Sequence, residues 1–355
     1  MLLALLKNLD RERFEPFLCV LKPGGRLLEE ARKLNVETEC LNVSSKFDFM
    51  VLSRLKSLLI RENPSVLHTF LFHANILGRI AGSSCRIPVI ISSQRSVDEW
   101  RKFYHSVLDG WSSRFCHLII SNSEAGRRRL IEREKIPADK IITIHNGIDV
   151  SRFEIEIDVQ KKRKELGLDP DDKVIGIIAN LRRVKGHRYM FEALRDLHSR
   201  IKDVKIKLLV VGEGKLKRQL GDLADRLKIK DSVVFCGFRD DIPEVLRAID
   251  ILVLPSLWEG FPVSVLEAMA SGLPVVASDV GGVSEVVQNG RNGVLVRPAD
   301  YRHLSTALYN LIREPERILR LGAEGKKLVG EKFTLKKMIE DTEDIYDKLL
   351  RQQSL

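Results

Sequence analysis

Two carboxylates and a glycine lie close together in residues 254–277. Glu259 and Gly260 follow an apolar run that predicts a buried strand, and Glu267 lies about one turn inside a helix predicted to begin at Val263. A second apolar run comes next, so the segment is predicted to form a βαβ unit. Its polar loop then stands at the carboxyl end of the first strand, where open α/β sheets bind ligands.

The residue types in this loop suit a ligand with phosphates and hydroxyls. Gly260 allows close approach of the backbone, and the following helix directs its N–H groups and positive end toward the loop. Glu259 and Glu267 can accept hydrogen bonds from hydroxyls on either side of a diphosphate, as in a sugar nucleotide. The alternative is that Glu259 caps the helix and Glu267 lies on a solvated face. The small and apolar neighbours of Glu267 disfavour this alternative, because a carboxylate among them without a partner is costly.

A second segment, residues 180–187, supplies positive charge at the end of another predicted strand. Arg182 and Lys185 are three residues apart, so a guanidinium and an ammonium can both reach a diphosphate. A basic helix start without a ligand is the alternative, and it would oppose the helix dipole. Residues 169–172 contain an Asp-x-Asp pair, but their position before a strand and their proline predict a solvated turn and no metal site.

Composition limits the classes of partner. The 355 residues are 44% hydrophobic and 30% charged with a formal charge of +10, which indicates a globular protein with an anionic substrate or an anionic membrane surface as partner. Aromatic residues make up only 6% of the chain, so no nucleic-acid partner is expected. The five cysteines are scattered, which predicts neither a disulfide framework nor a zinc site. No apolar run reaches the roughly 20 residues of a membrane span, and a cytoplasmic location is expected.

Alternating strand and helix patterns predict an α/β protein with two doubly wound, Rossmann-like domains. The N-terminal domain is predicted over residues 1–150, because the turn signal Asn146-Gly147 follows its last strand. Residues 151–172 form a predicted linker, and residues 173–333 a second domain. The last helix, residues 334–355, is predicted to cross back to the first domain. The ligand is expected in the cleft between the domains.

Taken together, the sequence resembles the family-4 (group 1) retaining glycosyltransferases of the GT-B fold. The resemblance rests on residues 259–267 and 268–276, on Gly281-Gly282 with Glu285, on residues 146–149 and on residues 181–186, and it is specific from about residue 65 to 350. It implies an N-terminal acceptor-binding domain and a C-terminal domain that binds a nucleotide-sugar donor, with a UDP-sugar favoured over a GDP-sugar.

The resemblance also implies roles for single residues. Glu267 would hold the donor ribose, and Glu259 the hydroxyls of the transferred sugar. Arg182 and Lys185 would neutralise the leaving diphosphate, and no bound metal would be required. The remaining donor-binding positions are the amides of Gly260, Phe261 and Val263 near the phosphates, and Gly237 with Phe238 beside the base.

Two departures from the family pattern affect the site. Asn180 stands where an Arg is common, so Arg182 or Arg183 must supply the guanidinium. Arg182 is predicted to do so, because its spacing to Lys185 fits one helical turn. Many members place a His after the strand that ends here at residues 91–93, whereas this chain has Gln94 and Arg95. Arg95 can act electrostatically but not as a base. His73, at another strand end, is the other catalytic candidate, although a His at a helix start is also a common structural cap.

The chain opens on a helix at residues 1–8, whereas relatives begin with a strand and a Gly-rich loop. We therefore expect an N-terminally shortened form with a vacant position in its first sheet. The predicted activity is transfer of a hexose or an N-acetylhexosamine to a glycan or lipid-linked glycan, in cell-envelope or exopolysaccharide synthesis at the inner face of the membrane. The alternatives are a catalytically impaired relative that still binds the donor, and a GT-B nucleotide-sugar epimerase.

Overall fold

Strands and helices alternate along the chain in a computed structural model that describes residues 1–43, 48, 50–95 and 102–353. The strands are β1 (Phe17–Val20), β2 (Glu37–Cys40), β3 (Val66–Phe70), β4 (Val89–Gln94), β5 (Leu118–Ser121), β6 (Ile141–Thr143), β7 (Lys173–Ile178), β8 (Ile206–Val211), β9 (Val233–Gly237), β10 (Ile251–Leu254), β11 (Val275–Ser278) and β12 (Val294–Val296). The helices are α1 (Leu2–Asn8), α2 (Arg26–Arg32), α3 (Val51–Glu62), α4 (Phe72–Ser84), α5 (Phe103–Ser112), α6 (Glu124–Glu134), α7 (Val159–Glu165), α8 (His187–Arg200), α9 (Lys217–Arg226), α10 (Ile242–Arg247), α11 (Val263–Ala270), α12 (Tyr301–Arg313), α13 (Pro315–Lys332) and α14 (Leu335–Gln353).

Each of these strands overlaps a strand that the sequence predicts, and the α/β fold class is confirmed. The sequence also predicts a helix from about Phe49 to Arg61, and its start at Phe49 lies outside the described residues. So does the start of the helical region predicted over residues 97–115, whose described part contains α5 and a short 3-10 turn, Ser113–Phe115. No helix in the described ranges is both long enough and apolar enough to span a bilayer.

One compact unit, called the second unit below, comprises Gly147–Thr334. Its six strands are all parallel and run in the order β12-β11-β10-β7-β8-β9. Separate hydrophobic clusters cover the two faces of this sheet, one built largely on α11 and the other on α8 and α12. Burial on both faces accounts for the continuous apolar character of β10 and β11. Residues 151–172, predicted as a linker, lie within this unit and include α7.

The other unit, called the first unit because it contains the N-terminal residues, comprises Met1–Asn146 and Leu335–Leu355. Strands β3-β4-β5-β6 form a parallel sheet, and β1 and β2 form a separate parallel pair. The pair shares a hydrophobic core with one face of the four-stranded sheet. On the other face, Met338, Ile339 and Tyr346 of α14 pack with Leu5 of α1 against the strands. The last helix of the chain is therefore part of the core of this first unit.

Candidate functional site

The order of the six-stranded sheet reverses between β7 and β10. These strands are neighbours, and the helices that follow them, α8 and α11, pack on opposite faces of the sheet. At such a reversal a crevice opens between the loop after β7 and the loop after β10. This crevice is the usual ligand position in open α/β sheets. Residues 179–186 and 255–262 form its two sides.

These two loops are in direct backbone contact. Gly186 has a φ of +68°, and a Cβ atom at this position would lie 1.9 Å from the carbonyl oxygen of Pro255. The amide of Leu257 donates a hydrogen bond to the carbonyl oxygen of Val184 at 2.7 Å. Only glycine satisfies both the positive φ and the close approach. The contact therefore fixes the position of Lys185 relative to the second loop.

Lys185 forms an ion pair with Glu259 across this contact. The ammonium Nζ donates to both carboxylate oxygens, at 2.7 and 3.0 Å. The hydroxyl of Ser256 donates to Glu259 Oε1 at 2.6 Å, and the carboxylate side chain is only 8% exposed. The structure thus brings together two residues that the sequence assigned to one site. Removal of either partner would leave the other charge poorly compensated in a largely buried place.

A third loop holds the backbone of Glu259. Gly281, just after β11, has a φ of +54°, and a Cβ atom here would lie 1.8 Å from the carbonyl oxygen of Glu259. The amide of the next residue, Gly282, points at the same oxygen from 3.4 Å. Gly281 and Gly282 therefore have a physical role in the site, since a side chain at position 281 would push Glu259 away.

Helix α11 begins beside Glu259. Its N-terminal residue follows Pro262, and no side chain caps it. The first N–H groups of a helix have no acceptor within the helix, and they carry the positive end of its dipole. Phe261 is buried and packs against Phe333 with ring centroids 5.6 Å apart, so only its backbone is available to a ligand. Val263 provides the first amide of the helix.

Glu267 lies on the second turn of α11 and is partly buried. Burial raises the pKa of its carboxyl group to about 7, and the positive charge of Arg152 opposes this shift. Glu267 therefore titrates close to neutral pH. When ionised, its carboxylate accepts hydrogen bonds from hydroxyl groups, and those bonds would favour the charged form.

The other donor-site candidates lie at the ends of neighbouring strands. The guanidinium of Arg182 is exposed and makes no hydrogen bond or ion pair to a described residue. Gly237 ends β9 with a φ of +67°, and its carbonyl oxygen accepts a hydrogen bond from the amide of Gly212 at 2.7 Å. Phe238 follows and is 59% exposed. The assigned roles of these residues remain predictions.

His187 is a buried group whose significance the sequence did not indicate. It begins α8, is 2% exposed, and neither ring nitrogen has a hydrogen-bond partner among the described residues. Burial and the nearby charge of Lys185 lower the pKa of His187 to about 4, so the ring is neutral at physiological pH. A neutral ring here avoids a second cation beside the Lys185–Glu259 pair.

Arg95 is the main charged candidate in the first unit, at the end of β4. Its Nη1 donates to Asn146 Oδ1 at 2.6 Å, and Asn122 Nδ2 donates to its carbonyl oxygen at 3.0 Å. Its guanidinium lies 5.3 Å from the ring centroid of Phe70. Burial lowers the pKa of Arg95 to about 10, and no described carboxylate forms an ion pair with it. Asn146, which the sequence predicts to lie in a turn, therefore orients this cation.

His68 was not predicted, yet it lies in a hydrogen-bonded chain near Arg95. Its Nδ1 is 2.6 Å from the hydroxyl of Tyr346, and its Nε2 is 2.8 Å from Ser93 Oγ. Burial and the charge of Arg95 lower the pKa of His68 to about 3, which keeps the ring neutral. The one feature of the sequence that could have indicated His68 is its position within an apolar strand. Its partner Tyr346 lies 278 residues away and could not be foreseen.

His73, the other catalytic candidate, is exposed near the start of α4, with its ring edge-on to Phe72 at 5.4 Å. Leu71 just before the helix has φ 74° and ψ 156°, a region that is almost restricted to glycine, and it is 61% exposed. Such strain concentrates at functional sites. Leu71 is therefore a further residue of interest beside His73.

Residues 169–172 form ion pairs within the fold. Lys205 contacts both Asp169 and Asp172, and Asp172 Oδ2 accepts a hydrogen bond from the amide of Asp169 at 2.8 Å. Among the residues that the structure describes, no group of three or more His, Cys, Asp and Glu side chains is placed to hold a metal ion.

Two family models match the chain and together cover most of it. The model described as Glycosyltransferase Family 4 matches residues 1–152, and the model described as Glycosyl transferases group 1 matches residues 158–328. The second match contains Lys185, Glu259 and Glu267. The first contains His73 and Arg95.

Several relatives and solved structures are similar over much of their length. The UDP-Gal:alpha-D-GlcNAc-diphosphoundecaprenol alpha-1,3-galactosyltransferase of Escherichia coli is 27% identical, over 95% of this chain and 90% of the relative. The lipopolysaccharide core biosynthesis mannosyltransferase LpsB of Rhizobium meliloti is 28% identical, over 75% of this chain and 73% of the relative. The structure of Anabaena HepE in complex with UDP-glucose has a TM-score of 0.88 at 21% identity, over 98% of this chain and 94% of that chain.

The two matched models, the E. coli relative and the shared architecture all indicate the same family. The chain belongs to the family-4 (group 1) glycosyltransferases of the GT-B fold.

Proposed function

We propose that the chain is a retaining glycosyltransferase that moves a hexose or an N-acetylhexosamine from a nucleotide-sugar donor to a glycan or lipid-linked glycan. The observation that carries this proposal is the Lys185–Glu259 ion pair at the reversal of the sheet order. It holds a cation suited to a diphosphate in contact with a carboxylate suited to sugar hydroxyls. The uncapped start of α11 lies beside this pair.

In this proposal the donor lies along the crevice of the second unit. Its diphosphate is held by Arg182, Lys185 and the first amides of α11, and Lys185 then divides its hydrogen bonds between the diphosphate and Glu259. Glu267 accepts hydrogen bonds from the ribose hydroxyls. The exposed ring of Phe238 lies beside the base. A UDP-sugar is favoured over a GDP-sugar, with support from the UDP in the names of the HepE complexes and of the E. coli relative.

Catalysis then depends on stabilisation of the leaving group. The bond between the anomeric carbon and the diphosphate oxygen breaks, and the acceptor hydroxyl forms its bond on the same face of the sugar. The hydroxyl proton passes to the departing diphosphate. Negative charge develops on that diphosphate beside Lys185 and the positive end of α11, and the exposed Arg182 is proposed to reach it as well. The proposal assigns to these groups the neutralisation that a metal ion would otherwise supply.

The acceptor is proposed to contact the first unit. Arg95 is held by Asn146 and Phe70 and has no ion-pair partner among the described carboxylates, so its positive charge remains available to a reacting or anionic group. His73 is the candidate for contact with the acceptor hydroxyl. The names of the E. coli and Rhizobium relatives support a lipid-linked or lipopolysaccharide acceptor in cell-envelope synthesis. The charge of +10 supports peripheral association with the cytoplasmic face of an anionic membrane.

The test is a transfer assay with UDP-glucose, UDP-galactose, UDP-N-acetylglucosamine and GDP-mannose. The acceptor is that named for the E. coli relative, α-D-GlcNAc-diphosphoundecaprenol. We expect release of a nucleoside diphosphate and a product with the anomeric configuration of the donor, determined by NMR. Lys185→Met and Glu259→Gln should each lower the rate by about 100-fold or more, because each removes preorganised polar contact with the reacting groups.

Lys228→Met is the matched control, since this exposed lysine of the same unit lies between α9 and β9, at the amino end of a strand and away from the crevice loops. Binding of the nucleotide without sugar release with any donor would instead support the donor-binding alternative. Conversion of the free nucleotide sugar into its epimer would support the epimerase.

A further inference from the structure

Helix α5 is oriented with its polar side inward. Ser106, Asp109 and Ser112 are 2%, 1% and 0% exposed. They lie on one side of the helix, whose sequence also contains five large apolar residues. The usual arrangement of an amphipathic surface helix buries the apolar side. The reverse arrangement in α5 needs a specific cause.

The cause is a buried ion pair. Arg79 of α4 and Asp109 of α5 are each 1% exposed, and Arg79 Nη1 donates to Asp109 Oδ1 at 2.6 Å. The same nitrogen donates to Ser112 Oγ at 3.0 Å. Rotation of α5 to bury its apolar side would separate these buried charges, which is strongly unfavourable. In addition, a Cβ atom at Gly110 would lie 2.2 Å from the carbonyl oxygen of Glu134, so the helix is packed closely against the end of α6.

The opposite side of α5 exposes a continuous apolar surface. Its members are Phe103 (80% exposed), Tyr104 (59%), Val107 (53%), Leu108 (38%) and Trp111 (42%). At about 100° per residue these positions fall within an arc of roughly 140° along the whole helix. We call these five residues the α5 apolar face. Its exposed area, on the order of 500 Å², is as large as the largest patch of a typical monomeric protein, and patches of this size mark interaction sites.

We infer that the α5 apolar face docks on an anionic lipid bilayer. Phe, Tyr and Trp are the side chains that suit the boundary between acyl chains and headgroups. A helix with one apolar side along its length lies flat in this boundary. The chemistry of the face therefore fits a membrane surface.

The charges around the α5 apolar face complement anionic headgroups. Exposed Lys102 precedes the helix, and exposed Arg114 follows it with its guanidinium 5.7 Å from the ring centroid of Trp111. Arg133 and Lys135 are exposed at the adjoining end of α6. The only carboxylate of α5 belongs to the buried Asp109. On this end of α6, Glu132 is the exposed carboxylate, so cations predominate.

These charges disfavour a second copy of the chain as the occupant. In a twofold dimer built on the α5 apolar face, Lys102 and Arg114 of both copies would meet around the same buried surface. Like charges brought together in this way oppose association. An anionic bilayer accepts the same cations favourably.

The position of the helix connects membrane docking to the acceptor residues. His105 of α5 packs against Phe72, with ring centroids 5.3 Å apart, and Phe72 precedes His73 at the start of α4. The inference extends the membrane association proposed above by naming its surface. Its test measures vesicle binding and not sugar transfer, so failure of one proposal is distinguishable from failure of the other.

The experiment is co-sedimentation of the full chain with vesicles of pure phosphatidylcholine and with vesicles of equimolar phosphatidylcholine and phosphatidylglycerol. We expect binding to the anionic vesicles. The triple variant Phe103→Ser, Tyr104→Ser, Trp111→Ser should lower the partition coefficient by about tenfold or more. The double variant Lys102→Glu, Arg114→Glu should do so by about tenfold on anionic vesicles only.

The matched control is Ile60→Ser with Leu319→Ser, because these residues are 71% and 73% exposed and lie on other helices. It should leave vesicle binding unchanged. Unchanged thermal unfolding of the triple variant would establish that its loss of binding does not reflect misfolding. Equal vesicle binding by the wild type and the triple variant would overturn the inference. So would a wild-type dimer in sedimentation velocity that becomes monomeric in the triple variant without binding vesicles.

Discussion

Replacement of Glu267 by Gln should have opposite effects on two properties of the second unit: it should raise the stability and weaken the proposed donor binding. The carboxyl group has a pKa of about 7 in the fold against an ordinary value of 4.5, and burial is the main cause. Each pKa unit corresponds to about 1.4 kcal/mol. The buried charge therefore costs up to about 3 kcal/mol of folding free energy at alkaline pH, and the isosteric neutral amide removes this cost.

The pH dependence has a definite sign. Because the folded state binds the Glu267 proton more tightly than the unfolded state does, the contribution of this group is most favourable below about pH 4.5. This favourable contribution decreases as the pH rises from about 4.5 to about 7, and it does not change further above about pH 7. We therefore expect Glu267→Gln to match the wild type near pH 4.5 and to be more stable by about 1–3 kcal/mol at pH 8.

Differential scanning calorimetry at the two pH values measures this difference. About 2–4 °C per kcal/mol is expected for a unit of this size. Glu331→Gln is the control, because this exposed glutamate of the same unit has no ion-pair partner within the described ranges and should show no pH-dependent gain. A Glu267→Gln variant that is less stable than the wild type at pH 8 would refute the reasoning.

Three further perturbations test other parts of the structure. Gly281→Ala should lower nucleotide binding at least about tenfold, whereas Gly290→Ala should not, because both glycines have positive φ but only position 281 faces the backbone of Glu259 at 1.8 Å; calorimetric titration compares them. Asp109→Ala should lower the free energy of unfolding by about 3–5 kcal/mol by leaving the Arg79 charge buried and unpaired, as measured in urea, and a loss below about 1 kcal/mol would show that the pair is dispensable. Leu71→Gly should raise the free energy of unfolding, also measured in urea, by about 1 kcal/mol, because glycine adopts φ 74° without strain. A loss of stability would mean that the Leu71 side chain is required.

The periodicity of the sequence was sufficient to predict the strands and the α/β class. Strands buried on both faces, such as β10, appear as short apolar runs, and Gly or Pro marks several of their ends. The proximity of Lys185 and Glu259 was also within reach, because both follow strands that meet at one edge of a sheet.

Contacts between distant segments could not be predicted in this way. The orientation of α5 depends on an ion pair between residues 30 positions apart, and the neutral state of His68 depends on burial beside Tyr346, 278 positions away. The local sequence pattern alone would have predicted that Phe103 and Trp111 are buried. The elevated pKa of Glu267 likewise follows from the depth of burial, which composition near the residue only suggests.

The most direct measurement of the central claim is calorimetric titration of UDP and GDP into the wild type, Glu267→Gln and Lys185→Met at pH 8. We expect saturable binding of one nucleotide, which both substitutions weaken by about tenfold or more and the control Glu331→Gln does not change. Binding that is equally strong in all four proteins would contradict the assignment of the donor to the crevice between the loops after β7 and β10. The absence of binding of both UDP and GDP to the wild type would contradict it as well.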